Sequence, residues 1–540
     1  MKPSRIAIAL VALLSLLVSC QTAPIAEYGS LDRAAVELLA NGSARRVDIV
    51  SFNDFHAALV EELTVVDGGV IVQGKNPGMA KLATAMRDMK RTNPNTVFVS
   101  AGDSYQGSAL SILSEGRIVS EFLKSMGVAA SAVGNHEFDW GDGHFAEWSA
   151  SGGFPFLAAN IVEKATGEIP SWAKPYVIIK VGGHRIALLG LATLETPTAT
   201  TPANVAAYDF LDAAATARFW VNRIRATEKP EVLIALTHIP AAVDKLDASR
   251  AVSASELGEL EALAAVDGID AIVTGHSHAR VSAKTDGVPV VQAYYNGRGL
   301  GRIAITFRDD GSFSLSTGFV DLYSAKDSIL EDPEAKALYA RYMAEHGATL
   351  LREVATVEGD LSHDRSSNVT PMGLWVGKAM IERFGAQVAI MNGGGLRKGF
   401  APGQVAVQDF WDLMPFDNTA VVFKAKGSAL RAMIEHGLDS VGFGNGQFAG
   451  LVVEYDPMKP QGAKIVSMRL ADGTPVADDG LYAIVTNDFI FEGGDGYVMM
   501  KANALDAVNT FVPIRDALVE AAEKAGVIRA EKPEVLEAVF

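Results

Sequence analysis

The chain has 540 residues, 49% of them hydrophobic, enough for more than one core and beyond the size at which a single core usually stops growing. It carries 47 Lys+Arg against 64 Asp+Glu, a net charge of −17, so most of its surface repels a nucleic-acid backbone and a polymeric nucleic-acid partner is disfavoured. A small phosphorylated ligand stays open, because a metal cluster or a few arginines can reverse the field inside one cleft; the single cysteine excludes an internal disulfide and a cysteine-based zinc cluster.

Taken in chain order, Lys2 and Arg5 precede an apolar run from Ile6 to Val18, the charged start and short hydrophobic middle of an export signal. The run is too short to span a bilayer comfortably. It closes on Leu17-Val18-Ser19-Cys20, which resembles the lipobox of bacterial lipoproteins. The resemblance implies that residues 1–20 are a signal peptide and that Cys20 becomes the lipidated first residue. Gln21 in the next position implies a destination in the bacterial outer membrane. Residues 21–46 read as a tether.

From 47 to about 325, short apolar runs alternate with helical stretches, the pattern of a layered α/β domain. Strands are predicted at Val47–Phe52, Thr96–Ser100, Ala129–Val133, Ile186–Leu191, Val232–Leu236, Ala271–Val273 and Val288–Gln292. A charged linker helix follows over about 326–351. The second domain, 352–530, mixes strands and helices in α+β fashion, with strands at Val388–Met391, Val421–Ala425, Leu451–Tyr455 and Tyr482–Thr486. Gly442-Phe443-Gly444-Asn445-Gly446 does not join a strand to a helix in a βαβ unit, and reads as a surface loop rather than a dinucleotide fingerprint.

Polar residues of metal-ligand type follow the first domain's strands repeatedly: Asn53-Asp54-Phe55-His56, Gly102-Asp103, Gly134-Asn135-His136-Glu137, Thr237-His238 and Gly275-His276-Ser277-His278. Ligands of open α/β sheets bind at the carboxyl ends of the strands, so groups far apart in sequence can converge there. Carboxylate, amide oxygen and imidazole together suit borderline first-row divalent ions. Five of the ten histidines fall in these strings; the others, at 144, 184, 346, 363 and 436, lack such company and receive no role.

These blocks look like those of the calcineurin-like metallophosphoesterases. Gly134-Asn135-His136-Glu137-Phe138-Asp139 and Asn392-Gly393-Gly394-Gly395-Leu396-Arg397 narrow the resemblance to the bacterial and animal 5′-nucleotidases. It implies an α/β/β/α sandwich followed by an α+β substrate-binding domain, and two divalent ions such as zinc, manganese, iron or cobalt. By the same resemblance Asp54, His56 and His278 hold the first ion, Asp103 bridges, and Asn135, His238 and His276 hold the second. His136 and Asp139 match the catalytic pair, with the aspartate orienting the imidazole.

In the second domain the resemblance implies that Phe416 and Phe489 sandwich a nucleobase. Asn392, Arg397 and Asp495 match positions that contact base, ribose or phosphate, and Asn418 one that contacts the base. Arg365 falls near a substrate arginine. Val369-Thr370-Pro371-Met372-Gly373 and Asp417 depart from the family's usual strings, which leaves the preferred nucleotide open. The expected activity is hydrolysis of a nucleotide 5′-phosphate by metal-activated water. The alternatives are a UDP-sugar, a 2′,3′-cyclic nucleotide or a thiosulfate-type ester on the same metals, or a lipoprotein that only captures nucleotides.

Overall fold

The structure, a computed structural model, describes residues 45–67, 70–241, 254–416, 418–439 and 444–539. The leader, Cys20, nearly all of the tether and Asp417 lie outside the described residues.

Two sheets form the centre of the first domain. One runs in the order Phe313–Asp321, Gly299–Phe307, Arg46–Phe52, Thr96–Ser100, Val128–Ala132, Phe156–Leu157, Ala173–Lys174; the other runs Arg280–Thr285, Val288–Ala293, Ala271–Gly275, Val232–Pro240, His184–Ala192, Tyr176–Val181. The middle strands of each are parallel. Along Arg46–Phe52, Val47 and Ile49 face the other sheet and, with Val97 of the neighbouring strand, meet its Leu188, Ile234 and Val273. Val50 and Phe52 point the other way, into the helices Gly78–Thr92 and Arg117–Met126. This is the alternation a strand imposes, and with both faces covered the strand reads as one apolar run. Helix Ala213–Thr227 and the described end of Ala254–Ala264 cover the second sheet, completing the α/β/β/α layers.

Each predicted strand of this domain is present, within a few residues of its expected ends. Sequence reading missed the antiparallel strands Tyr176–Val181, Gly299–Phe307 and Phe313–Asp321. In Gly299–Phe307 the glycines that interrupt the apolar pattern are required by packing. A Cβ at Gly299 would stand 2.2 Å from the Phe319 ring, and one at Gly301 would stand 2.8 Å from Ser51 Oγ.

The linker helix is Pro333–Leu350, started by Asp332, whose side chain accepts from the Ala335 N–H, a standard N-cap. It is docked on the first domain: Ala335, Tyr342 and Leu350 enter that core. The second domain centres on a sheet ordered Gly446–Ala449, Val388–Asn392, Leu481–Asn487, Thr419–Lys426, Leu505–Pro513, packed against helices Pro371–Phe384, Gly427–Asp439 and Ile514–Ala525. Gly442 and Phe443 lie outside the described residues, but Gly444, Asn445 and Gly446 are buried rather than in a surface loop, and Gly446 opens a strand. Asn445 is held there because its Nδ2 donates to Ser366 O at 2.7 Å.

Candidate active site

The backbone at the strand ends is bent into the left-handed region at five of the expected ligands. Asp54, His56, Asp103, His276 and His278 have φ between 46° and 71°, a conformation that costs roughly 1–3 kcal/mol per residue and persists only where the surroundings impose it. Ties between loops impose it. The Asp54 N–H donates to Gly102 O and the His56 N–H to Asp103 O, both at 3.0 Å, and Asp54 Oδ2 accepts from the His276 N–H at 3.0 Å. Space is also limiting: a Cβ on Gly134 would lie 2.1 Å from Asp103 Oδ1.

Two triads result, Asp54–His56–His278 and Asp103–His238–His276, each with its ligand atoms within 4.8 Å of one another. Their outer contacts aim the inner atoms. His56 donates Nδ1–H to Gln106 O at 3.1 Å, which turns its Nε2 lone pair inward, 3.2 Å from His278 Nε2. His238 donates Nδ1–H to Ala101 O at 2.6 Å and presents Nε2 to Asp103 Oδ2 at 3.1 Å. Asp54 Oδ1 is buried with no hydrogen bond, 3.1 Å from His278 Nε2 and 3.9 Å from His238 Nε2, between the triads. Asn135 Oδ1 faces His276 Nδ1 at 2.9 Å. Burial opposes a charged His238, yet Asp103 and Asp54 raise its pKa to about 10, so the carboxylates call for positive charge at this spot. Acceptor atoms converging from side chains fixed at their far ends are the donor set of a cation, and the residues fit two divalent ions.

Beside the triads, His136 Nδ1 donates to Asp139 Oδ2 at 2.8 Å. Burial works against the imidazolium, but Asp139 and then Asp103 outweigh it and raise the pKa above its ordinary value. The His136 N–H donates to Asp103 Oδ1 at 2.9 Å, which leaves Oδ2 of that carboxylate for the cluster. Glu137, quoted in the motif without a role, proves structural. Its buried carboxylate accepts from the N–H groups of Asp103, Ser104 and Gly134 at 2.7–2.8 Å. Burial and the neighbouring Asp103 push its pKa up to about 7 despite those bonds.

The second domain reaches this cluster. Arg397 is half-buried; desolvation and Arg365 lower its pKa to about 9 while Asp139, Asp103 and Asp54 pull it up, and its guanidinium lies 5.4 Å from the Phe416 ring. That ring is in turn 5.7 Å from His136.

The model of the calcineurin-like phosphoesterases matches residues 47–280, and that of the 5′-nucleotidase C-terminal domain matches 353–502. The chain belongs to the two-domain 5′-nucleotidase family. A 5′-nucleotidase of Diplobatis ommata is 29% identical over 85% of this chain and 84% of its own length. The crystal structure of a 5′-nucleotidase precursor from Thermus thermophilus superposes with a TM-score of 0.75 at 25% identity, covering 92% of this chain and 99% of that one. A Thermus thermophilus sulfate thiohydrolase shares the fold (TM-score 0.69, 18% identity, 91% and 96% covered), so the architecture by itself does not select a substrate.

In this family frame the remaining second-domain residues are held at four places. Asn392 Nδ2 donates to Asp495 Oδ2 at 2.6 Å, and Asn487 Nδ2 donates to Asn392 Oδ1 at 3.0 Å. Phe489 lies across the Gly494 turn, where a Cβ would meet its ring at 2.5 Å. Asn418 is buried and donates to Asp488 Oδ1 at 2.8 Å, on the same short helical turn as Phe489. The carbonyl of Arg365 packs under Gly393, whose Cβ would stand 2.3 Å away. Two histidines given no role from sequence hold these loops: His363 donates Nε2–H to Gly393 O at 3.0 Å, and His436 donates Nε2–H to Asp495 O at 2.9 Å. Their signal in the sequence was absent, because neither sits in a string of ligand-type residues.

Proposed function

We propose that this metal-dependent phosphoester hydrolase removes the 5′-phosphate of a nucleotide, with the triads and His136 at the phosphate and the second domain reading the rest. The observation that carries the reading is the approach of the nucleotidase domain to the cluster, where the Arg397 guanidinium lies 5.4 Å from the Phe416 ring and that ring 5.7 Å from His136, within the field of Asp54, Asp103 and Asp139. A cation placed there, with Arg365 beside it, suits an anionic phosphate. Asp54, His56, Asp103, Asn135, His238, His276 and His278 would hold two divalent ions, Asp103 serving both, and the ions would supply Lewis-acid polarisation of the phosphoryl oxygens and acidify a water. The chain's own part is proton placement. With Nδ1–H given to Asp139, the imidazolium of His136 presents Nε2–H to the oxygen on which charge develops as the ester breaks. Phe416 and Phe489 stack on the base, and Asn392, Asn418 and Asp495 bound the base and ribose subsite.

The deciding experiment follows phosphate release by the metal-replete protein from nucleoside monophosphates, UDP-sugars, cyclic nucleotides and thiosulfate-type esters. Monophosphates are expected to be turned over best; preference for another class would move the substrate within the family, and silence throughout would favour capture without catalysis.

A cell-envelope location, anchored to the outer membrane through Cys20, is part of the same proposal and is supported by the lipobox-like string. No helix among the described residues is long and apolar enough to cross a membrane. Cys20→Ser is expected to release an active protein into the soluble fraction, because an acyl anchor rather than a surface contact would hold it. Pelleting with membranes at high salt would overturn this. The net charge of −17 supports a small nucleotide rather than a nucleic-acid polymer as partner.

A further inference from the structure

The carboxylate of Asp139 is held at both oxygens. Oδ2 accepts from His136 Nδ1 at 2.8 Å, and Oδ1 accepts from Thr200 Oγ1 at 3.0 Å. Thr200 is 2% exposed and lies on extended backbone, φ −140° and ψ 176°, directly after the helical turn Thr196–Ala199. The same short segment grips the neighbourhood at two more points. Ala199 O accepts from Asn135 Nδ2 at 2.9 Å, and Asn204 Nδ2 donates to the backbone oxygens of Phe138 and Asp139, each at 2.9 Å. The turn Thr196–Ala199 also packs against Gly494–Gly496 of the second domain.

A hydroxyl has one proton to give. Thr200 gives it to the one carboxylate that steers His136, although backbone carbonyls are the commoner acceptors of buried hydroxyls. The terminal torsion of an aspartate is broad, so a carboxylate bonded at one oxygen only is free to swing and to carry the imidazole with it. Bonded at both, it fixes the line from Asp139 through the ring to Nε2.

We propose that Thr200 is a positioning residue for the His136–Asp139 pair, setting the direction in which Nε2 points into the site. This rests on the reading of that pair as the proton-placing group. Thr200 makes no bond to an expected metal ligand or substrate residue, so its loss should reach the chemical step and spare binding.

The test is kinetic, on the full-length, metal-loaded protein. Thr200→Val, which keeps the shape and removes the donor, is expected to lower kcat about 10-fold, in the range found for outer partners of active-site groups, with KM and bound metal unchanged. Thr200→Ser is expected to restore most of kcat, and Thr200→Ala to repeat the valine result should the β-branched apolar group disturb folding. In an Asp139→Ala background Thr200→Val should have no further effect, since the partner it acts through is gone. A full effect in that background, a rise in KM matching the fall in kcat, loss of metal, or a serine variant as slow as valine would overturn the proposal. If Asp139→Ala is slow and Thr200→Val is not, this inference alone fails. If Asp139→Ala is as fast as the parent, the reading of the pair fails and takes this inference with it.

Discussion

The two halves of the site are held in different ways. In the first domain the functional groups sit on backbone that is itself pinned, with strand ends forced to positive φ and N–H groups bonded to the next loop. In the second domain the groups sit on glycine-rich turns held by side chains, His363 on Gly393 O and His436 on Asp495 O, with Asn487 behind Asn392. A site fixed by backbone tolerates little change in chemistry, whereas loops held by side chains can be re-aimed by exchanging a few residues. That division matches a family in which one reaction serves several substrates.

The sharpest test of the backbone-held half is Asp103→Ala. It removes the acceptor from His238 and from the His136 N–H at once, so metal and activity should vanish together, by more than the roughly 10⁴-fold that marks the upper end for a single acid–base group; metal analysis beside kinetics decides it. His136→Ala should come next, keeping its metal and losing about 10²–10⁴-fold in kcat. If that variant is stripped of metal, His136 is a ligand and the separation of roles within the first domain breaks.

Arg397→Ala tests the border between the halves. Its guanidinium feels the carboxylates of the cluster, so its loss should cost about 1.5–3 kcal/mol, the scale of a hydrogen bond to a charged group, on a nucleotide and on nitrophenyl phosphate alike. The family match leaves base, ribose or phosphate open for this residue, and its place beside the carboxylates of the cluster favours the phosphate. Phe416→Ala and Phe489→Ala should cost about 1–3 kcal/mol on a nucleoside monophosphate, the scale of base–aromatic stacking, and almost nothing on nitrophenyl phosphate. Equal losses on both substrates in a folded, metal-loaded variant would make the rings part of the core and erase the contrast.

The same contrast decides what the sequence could disclose. Ligand-type residues directly after apolar strands announced Asp54, Asp103, Asn135 and His276, because strand ends are local features and parallel sheets gather them on one side. His238 was found in the same way, although its strand runs on to Pro240 through a register irregularity. Thr200, Glu137, His363 and His436 act through a single hydrogen bond each or through bonds to backbone, across separations no periodicity records. The strand Gly299–Phe307 was hidden for a related reason: its glycines answer to neighbours such as the Phe319 ring, not to an alternating pattern of their own.

Glu137 carries one consequence further. By bonding the N–H groups of Asp103, Ser104 and Gly134, it fastens the loop after one strand to the loop after the next with protein atoms alone. The cradle is therefore assembled by folding, and an arriving ion meets donors already in position instead of ordering them. Loops fastened to each other during folding have already given up conformational entropy, so less remains to be lost when a ligand is bound between them.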